Sequence, residues 1–246
     1  MLLIDIGNSR IKGGIARLDG IRSLNPVAWR KVPPVEAFNK IFSYLARPER
    51  VLISNVAGNA IATALTQWLA EKWQVIPDFV TVTPQFAGMH TRYDRPAQLG
   101  IDRWLAALAG FKRARGAACV IDAGTALTVD VVTAGGEHRG GLIAPGLSLM
   151  ARSLTQGTAQ LSLDQVEVVD RFATNTAAAI SLGCREAVAG IIERVAARWQ
   201  REIGERPTWY ATGGEAGIVT ELCAFPIEEI PDLVLQGLAI VAEARV

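Results

Sequence analysis

Two short stretches of this chain carry the same order of apolar and polar positions. Residues 2–8, LLIDIGN, align without a gap on residues 119–125, CVIDAGT, so that Leu3 matches Val120, Ile4 matches Ile121, Asp5 matches Asp122 and Gly7 matches Gly124. Each is an apolar run ending in Asp-x-Gly, and each is followed by a second apolar stretch, IKGGIA at 11–16 and LTVDVV at 127–132. The pattern predicts, twice, a strand, a tight Gly turn with an acid at its rim, and a returning strand.

Elsewhere the periods alternate. Helical spacing predicts helices at 35–47 and 59–72 around a strand at 51–54, then a strand at 79–82 and a polar, Pro-containing loop at 84–98. From Gly100 to about Arg115 an amphipathic helix carries Ile101, Leu105, Leu108 and Phe111 on one stripe. Residues 135–146, GGEHRGGLIAPG, read as a Gly-rich connection in which His138 is a solvated turn residue. Helices near 147–156 and 176–199, a strand at 208–212 entering Gly213-Gly214, and a last helix near 232–243 complete the chain. Two related α/β halves are expected, 1–115 and 116–246, meeting at a cleft.

Composition narrows the class. At 246 residues, half of them hydrophobic and a fifth charged, the chain has ample material for packed cores. A net charge of +1 gives no electrostatic footprint for nucleic acid. Three scattered cysteines form neither a disulfide framework nor a zinc spacing, so a reducing cytoplasm is expected, and Cys119 reads as a small buried hydrophobe. The opening MLLIDIG lacks the basic region of a signal peptide, and no uncharged apolar run is long enough for a membrane helix.

The candidate chemistry begins at Asp5, Gly7, Asn8, Ser9 and Lys12. Such a hairpin can bring backbone N–H groups and short polar side chains to a phosphate, with the acid placed to hold hydrated magnesium. The same residues also make an ordinary β-turn. No GxxxxGK[ST] loop and no dinucleotide fingerprint occurs. The second copy, Asp122-Ala123-Gly124-Thr125, and the Gly pair in Ala211-Thr212-Gly213-Gly214-Glu215-Ala216 add weight. Two facing hairpins could clamp a triphosphate from both sides, and phosphoryl transfer depends on that kind of positioning. In this order the three elements resemble the signature of the acetate and sugar kinase, heat-shock chaperone and actin superfamily. Asp102, in the first turn of the amphipathic helix, reads equally as a dipole-complementing acid or as a base for a substrate hydroxyl, with Arg103 beside it for an anionic group.

DIGNSRIK at 5–12, RYDRPAQLGIDRW at 92–104, DAGTALTVD at 122–130, GGLIAPGLSLM at 140–150, NTAAAISLG at 175–183 and ATGG at 211–214 stand in the order found in type III pantothenate kinases. The resemblance covers nearly the whole chain. It implies two ribonuclease-H-like (actin-like) domains with a nucleotide cleft between them, and ATP-dependent phosphorylation of pantothenate at its primary hydroxyl, the first step of coenzyme A synthesis. Carried over by motif, Asp102 is the general base. Asp5, Ile6, Gly7, Asn8, Ser9, Arg10, Ile11 and Lys12 contact ATP with Asp5 serving magnesium, and Thr125 also contacts ATP. Asp122 binds a monovalent cation, potassium or ammonium. Tyr93, Gly100, Ile101, Asp102, Arg103 and Thr176 line the pantothenate site, although Thr176 also stands where a helix starts, with Asn175 as its cap. A homodimer is implied, with neither nucleic acid nor membrane as partner. The 205–216 region matches loosely and leaves adenine contacts unassigned. Some proteins resembling this family are described as Bvg accessory factors, so a nucleotide-binding regulator is the alternative expectation.

Overall fold

A computed structural model describes residues 1–155 and 172–244. The chain divides into two compact units, one of Met1–Arg113, Gly136–His138 and Asp232–Val246, the other of Ala114–Gly135 and Arg139–Pro231.

The first unit is built on β1 (Leu2–Ile6), β2 (Arg10–Arg17), β3 (Gly20–Ser23), β4 (Val27–Ala28), α1 (Pro34–Phe42), β5 (Val51–Asn55), α2 (Asn59–Trp73), β6 (Asp78–Phe79), β7 (Gln85–Phe86), β8 (Met89–Thr91) and α3 (Ile101–Ala114). Its main sheet has the order β3-β2-β1-β5-β6, with β4 pairing β2 off that path. β1 runs antiparallel to β2 and parallel to β5. All five residues of β1 are buried, as expected of a central strand covered on both faces. Leu2, Ile4 and Ile6 join Phe38, Phe42, Leu65 and Trp68 in one core cluster, so α1 and α2 cover that face. Trp68 anchors it, with Phe38, Phe42 and Trp73 rings at 6.2, 6.1 and 5.1 Å and its indole N–H on Asn39 Oδ1 at 2.9 Å.

The second unit contains β9 (Ala118–Ala123), β10 (Ala126–Val132), β11 (Glu137–Pro145), whose first two residues count with the first unit, α4 (Leu147–Thr155), α5 (Thr176–Glu202), β12 (Thr208–Thr212), α6 (Ala216–Leu222) and β13 (Glu228–Glu229). The strands follow the order β11-β10-β9-β12-β13. β9 runs antiparallel to β10 and parallel to β12, so the connectivity of β3-β2-β1-β5-β6 is repeated strand for strand. α5 turns Cys184, Val188, Ile192 and Trp199 toward the core, a stripe at helical spacing. Asn175 caps it, accepting from Ala178 N at 2.9 Å. The final helix α7 (Leu233–Glu243) returns to the first unit and lies against β1, β2 and β5.

Several expected elements differ. The strand expected at 79–82 is confined to Asp78–Phe79, and the loop expected at 84–98 contains the short antiparallel pair β7 and β8. The helix expected at 35–47 stops at Phe42. Residue 156, expected as the last of its helix, lies outside the described residues. The largest correction falls on 135–146: instead of a connection, Glu137–Pro145 is a nine-residue strand whose positions alternate in burial from His138 onward. Its glycines mask an alternation in which Leu142 and Ala144 pack inward while Ile143 is exposed. His138 is therefore no solvated turn residue; it is fully buried.

Candidate active site

In the first unit the β1–β2 hairpin is closed by Gly7 N donating to Arg10 O at 3.0 Å, with Ile6 and Ile11 as the buried pair at its stem. Asn8, Ser9 and Arg10 are exposed at the tip. Asp5 stands opposite Lys12 across the antiparallel pair and opposite Ser54 across the parallel one. Ser54 Oγ donates to Asp5 Oδ1 at 2.9 Å, and both residues are buried. A serine hydroxyl fixed on one oxygen holds the carboxylate in a defined orientation. Trp29 and Arg30 brace the turn: Trp29 Nε1 donates to Gly7 O at 3.0 Å, and Arg30 donates to Asn8 O at 2.5 Å and to Asn8 Oδ1 at 3.1 Å. The guanidinium also lies 4.8 Å from the centre of the Trp29 ring. All of these acceptors are neutral, so Arg30 brings a positive charge to the turn.

The same unit holds a second group. Asp102 opens α3, its Oδ1 accepting from Arg103 N at 2.8 Å. A Cβ on residue 100 would sit 2.6 Å from that oxygen, so Gly100 is what allows the carboxylate to occupy this place. Ile101 is buried, and so is Arg103, which donates through Nη1 to the Tyr93 hydroxyl at 3.1 Å. Asp102, Arg103, Gly100, Ile101 and Tyr93 are thus brought into one neighbourhood.

In the second unit Asp122 stands opposite Thr128 on β10 and opposite Thr212 on β12. Gly124 N donates to Ala126 O at 3.0 Å, and Thr125 is exposed at the tip. Gly213 has φ +98, and a Cβ there would lie 2.3 Å from Ala123 O and 2.6 Å from Asp122 Oδ1. The Gly-Gly turn therefore presses against the acidic hairpin at a distance only glycine allows. Glu215 extends the linkage. Its N–H donates to Ala123 O at 2.9 Å, and its carboxylate accepts from Leu147 N and Ser148 N at 3.1 Å each and from the Ser148 hydroxyl. An acid on the first N–H groups of α4 satisfies donors that the helix cannot. Thr176, also in this unit, is exposed at the first turn of α5.

Trp29, Arg30, Ser54, His138 and Glu215 were not singled out from the sequence as site residues. The partners of their side-chain hydrogen bonds lie between 22 and 68 residues away in the chain, and no local pattern marks them. For metal, no group of three or more His, Cys, Asp and Glu occurs among the described residues. Single carboxylates at Asp5 and Asp122 suit cations held mainly by phosphate and water rather than by a protein cage. No helix of the described residues is long and apolar enough to cross a membrane.

Twice-repeated connectivity, with an acid at the same place in each copy, defines an actin-like α/β fold. Its likeness to solved structures agrees: a Campylobacter jejuni protein assigned to the Baf family of transcriptional activators has a TM-score of 0.62 at 24% identity, covering 100% of this chain and 99% of that one. Component A of (R)-2-hydroxyglutaryl-CoA dehydratase from Acidaminococcus fermentans has a TM-score of 0.54 at 16% identity, covering 100% and 98%. At these identities the likeness speaks for the fold alone.

The chain belongs to the type III pantothenate kinase family, whose profile matches residues 1–198. Type III pantothenate kinases of Nitrosococcus oceani and Aromatoleum aromaticum are each 39% identical to it, over 99% and 98% of this chain and 94% and 97% of theirs.

Proposed function

We infer that this protein transfers the γ-phosphate of ATP to the primary hydroxyl of pantothenate, giving 4′-phosphopantothenate for coenzyme A synthesis. Family membership over residues 1–198 carries the reading, and the regulator alternative is not favoured by it. Incubation with ATP, magnesium and pantothenate should yield 4′-phosphopantothenate and ADP in equal amounts; absence of that product at saturating substrate would refute the assignment.

The residue roles follow the chemistry each position can perform. Asp102 takes the proton from the attacking hydroxyl, its carboxylate steered by the Arg103 amide. Arg103 faces the carboxylate of pantothenate, because a guanidinium fork suits a planar anion, and Tyr93 steadies that fork. Gly100 and Ile101 shape the start of this pocket; Thr176, at the first turn of α5, is assigned to pantothenate by the family motif alone. The 5–12 hairpin, Asp5 through Lys12, binds ATP phosphates: backbone N–H groups and Lys12 offset their charge, and Thr125 contacts the nucleotide from the second hairpin. Asp5 would hold magnesium through water, and Asp122 a potassium or ammonium ion. Magnesium, when bound with ATP, neutralises charge that builds on the phosphate oxygens.

A homodimer accords with the exposed apolar side chains Ile143, Leu149, Leu154 and Phe172, which lie on β11, on α4 and just before α5. The reading places the enzyme in the cytoplasm, where its three thiols stay reduced. Sedimentation velocity tests the assembly: a single species near twice the chain mass is expected.

A further inference from the structure

Behind the contact between Tyr93 and Arg103 stands a side chain to which the phosphoryl-transfer chemistry gives no role. His138, the second residue of β11, is 0% exposed. Its Nδ1 lies 3.0 Å from Thr91 Oγ1, and its ring is stacked on Tyr93 with centroids 6.0 Å apart and planes inclined by 14°. The same Thr91 hydroxyl oxygen accepts from Tyr93 N at 3.3 Å. His138 O accepts from Arg92 N at 3.0 Å, and Glu137 pairs with Arg92 at 3.1 Å. The parallel register sets His138 opposite Thr91.

Residues 91–93 are thus gripped at a hydroxyl, at the Arg92 amide and guanidinium and at a ring face, all from the first two residues of β11. The strand reaches this place through Gly136, whose φ is +83 and whose Cβ, if present, would lie 2.0 Å from Gly88 O. On its far side Tyr93 receives the Arg103 guanidinium at 3.1 Å. The order is His138, Thr91, Tyr93, Arg103, each joined to the next by a hydrogen bond. A fully buried imidazole is costly unless its polar atoms are paired. An aliphatic side chain would fill the space, but it would orient neither the Thr91 hydroxyl nor the phenol.

We propose that His138 is a positioning residue for the acid substrate: it fixes the angle of Tyr93 and, through the phenol, the direction in which Arg103 presents its guanidinium. This deepens, and rests on, the assignment of Tyr93 and Arg103 to pantothenate. His138 acts without contact with the substrate, so its loss should weaken pantothenate and leave ATP alone. A displaced binding group loses its geometry even where it is chemically intact.

Steady-state kinetics on four variants test this. His138→Phe keeps a ring against Tyr93 and removes the partner of Thr91; His138→Asn keeps a polar partner and removes the ring. Tyr93→Phe and Arg103→Lys probe the underlying assignment. Both His138 variants should raise the KM for pantothenate about tenfold, with the KM for ATP within about twofold of the parent, the size expected for losing one buried hydrogen bond or stack at a binding group. If Tyr93→Phe and Arg103→Lys raise that KM and the His138 variants do not, the positioning role is wrong while the pantothenate assignment stands. If none of the four changes it, the assignment itself fails. A parallel rise in both KM values with a lowered melting temperature would reduce His138 to a packing residue and overturn the proposal. Should the His138 variants not fold, Thr91→Val removes the same hydroxyl from a half-buried position, and an unchanged pantothenate KM there refutes the role.

Discussion

Asp5 and Asp122 occupy the same position in two copies of one topology. Each is the penultimate residue of a central strand, each lies opposite a returning antiparallel strand, and each faces a hydroxyl residue across a parallel neighbour, Ser54 for Asp5 and Thr212 for Asp122. The copies diverge at the antiparallel partner, which is Lys12 for Asp5 and Thr128 for Asp122. The first acid therefore stands opposite a cation, and the second opposite neutral hydroxyl residues on both sides. This difference fits the proposed roles, phosphate with its magnesium at the first hairpin and a monovalent cation at the second.

That divergence predicts separable phenotypes. Asp5→Asn should raise the magnesium concentration needed for half-maximal activity, with little effect on potassium dependence. Asp122→Asn should flatten the response to potassium or ammonium. Activity titrations against each ion distinguish them; identical profiles for both variants would contradict the division of labour.

Removing the base should silence chemistry without harming the fold. Asp102→Asn is expected to lower kcat by about 10²–10⁴-fold, the usual contribution of general base catalysis. Its melting temperature should stay near the parent value, because the amide oxygen can still accept from Arg103 N. Retention of most of the activity would remove Asp102 from the role.

Arg30 is expected to act on the nucleotide side only. Arg30→Ala removes both of its bonds to Asn8 and the charge above Trp29. The KM for ATP should rise about 5–20-fold, in line with the loss of one charge-assisted contact, while the KM for pantothenate stays unchanged. Nucleotide titration followed by tryptophan fluorescence gives an independent measure.

Gly213→Ala should be disruptive out of proportion to its single methyl. At φ +98 the new Cβ would meet Ala123 O and Asp122 Oδ1, and both the turn and the acidic hairpin must shift. A loss of at least about 1–3 kcal/mol of stability is expected from such backbone strain, read as a lowered melting temperature.

The thiols should be nearly silent in the folded protein. Burial pushes Cys119 and Cys184 up, and Cys223 is raised by burial and by Glu193, so the reactive thiolate is scarce at all three. A thiol reagent at pH 8 should modify at most one cysteine slowly, and all three once the protein is denatured. Rapid native labelling of Cys119 would be inconsistent with its place in β9.

Much of this was legible in the chain because it is local. Asp-x-Gly between apolar runs specifies a hairpin wherever it occurs, and the apolar stripe from Ile101 to Phe111 specifies α3. β11 was hidden because its glycines read as punctuation, although every second position from His138 faces inward. His138 was misplaced with it: a histidine between glycines looks solvated until Tyr93 and Thr91 are folded onto it. Ser54 lies 49 residues from Asp5 and Glu215 lies 67 from Ser148, and neither pairing leaves a periodic trace. Registers between distant strands carry that information, and they emerge only in the folded chain.

The position of α7 has a consequence for the order of folding. Its residues Leu233, Leu235, Leu238 and Val241 are buried, and the helix lies against β1, β2 and β5, strands translated some two hundred residues earlier. While the ribosome extends the chain, the unit that holds Asp5 and Asp102 still lacks a helix that packs on its sheet, and every residue of the other unit is made before that helix. The unit that holds Asp102, the proposed base, is therefore the second of the two to have all its residues made.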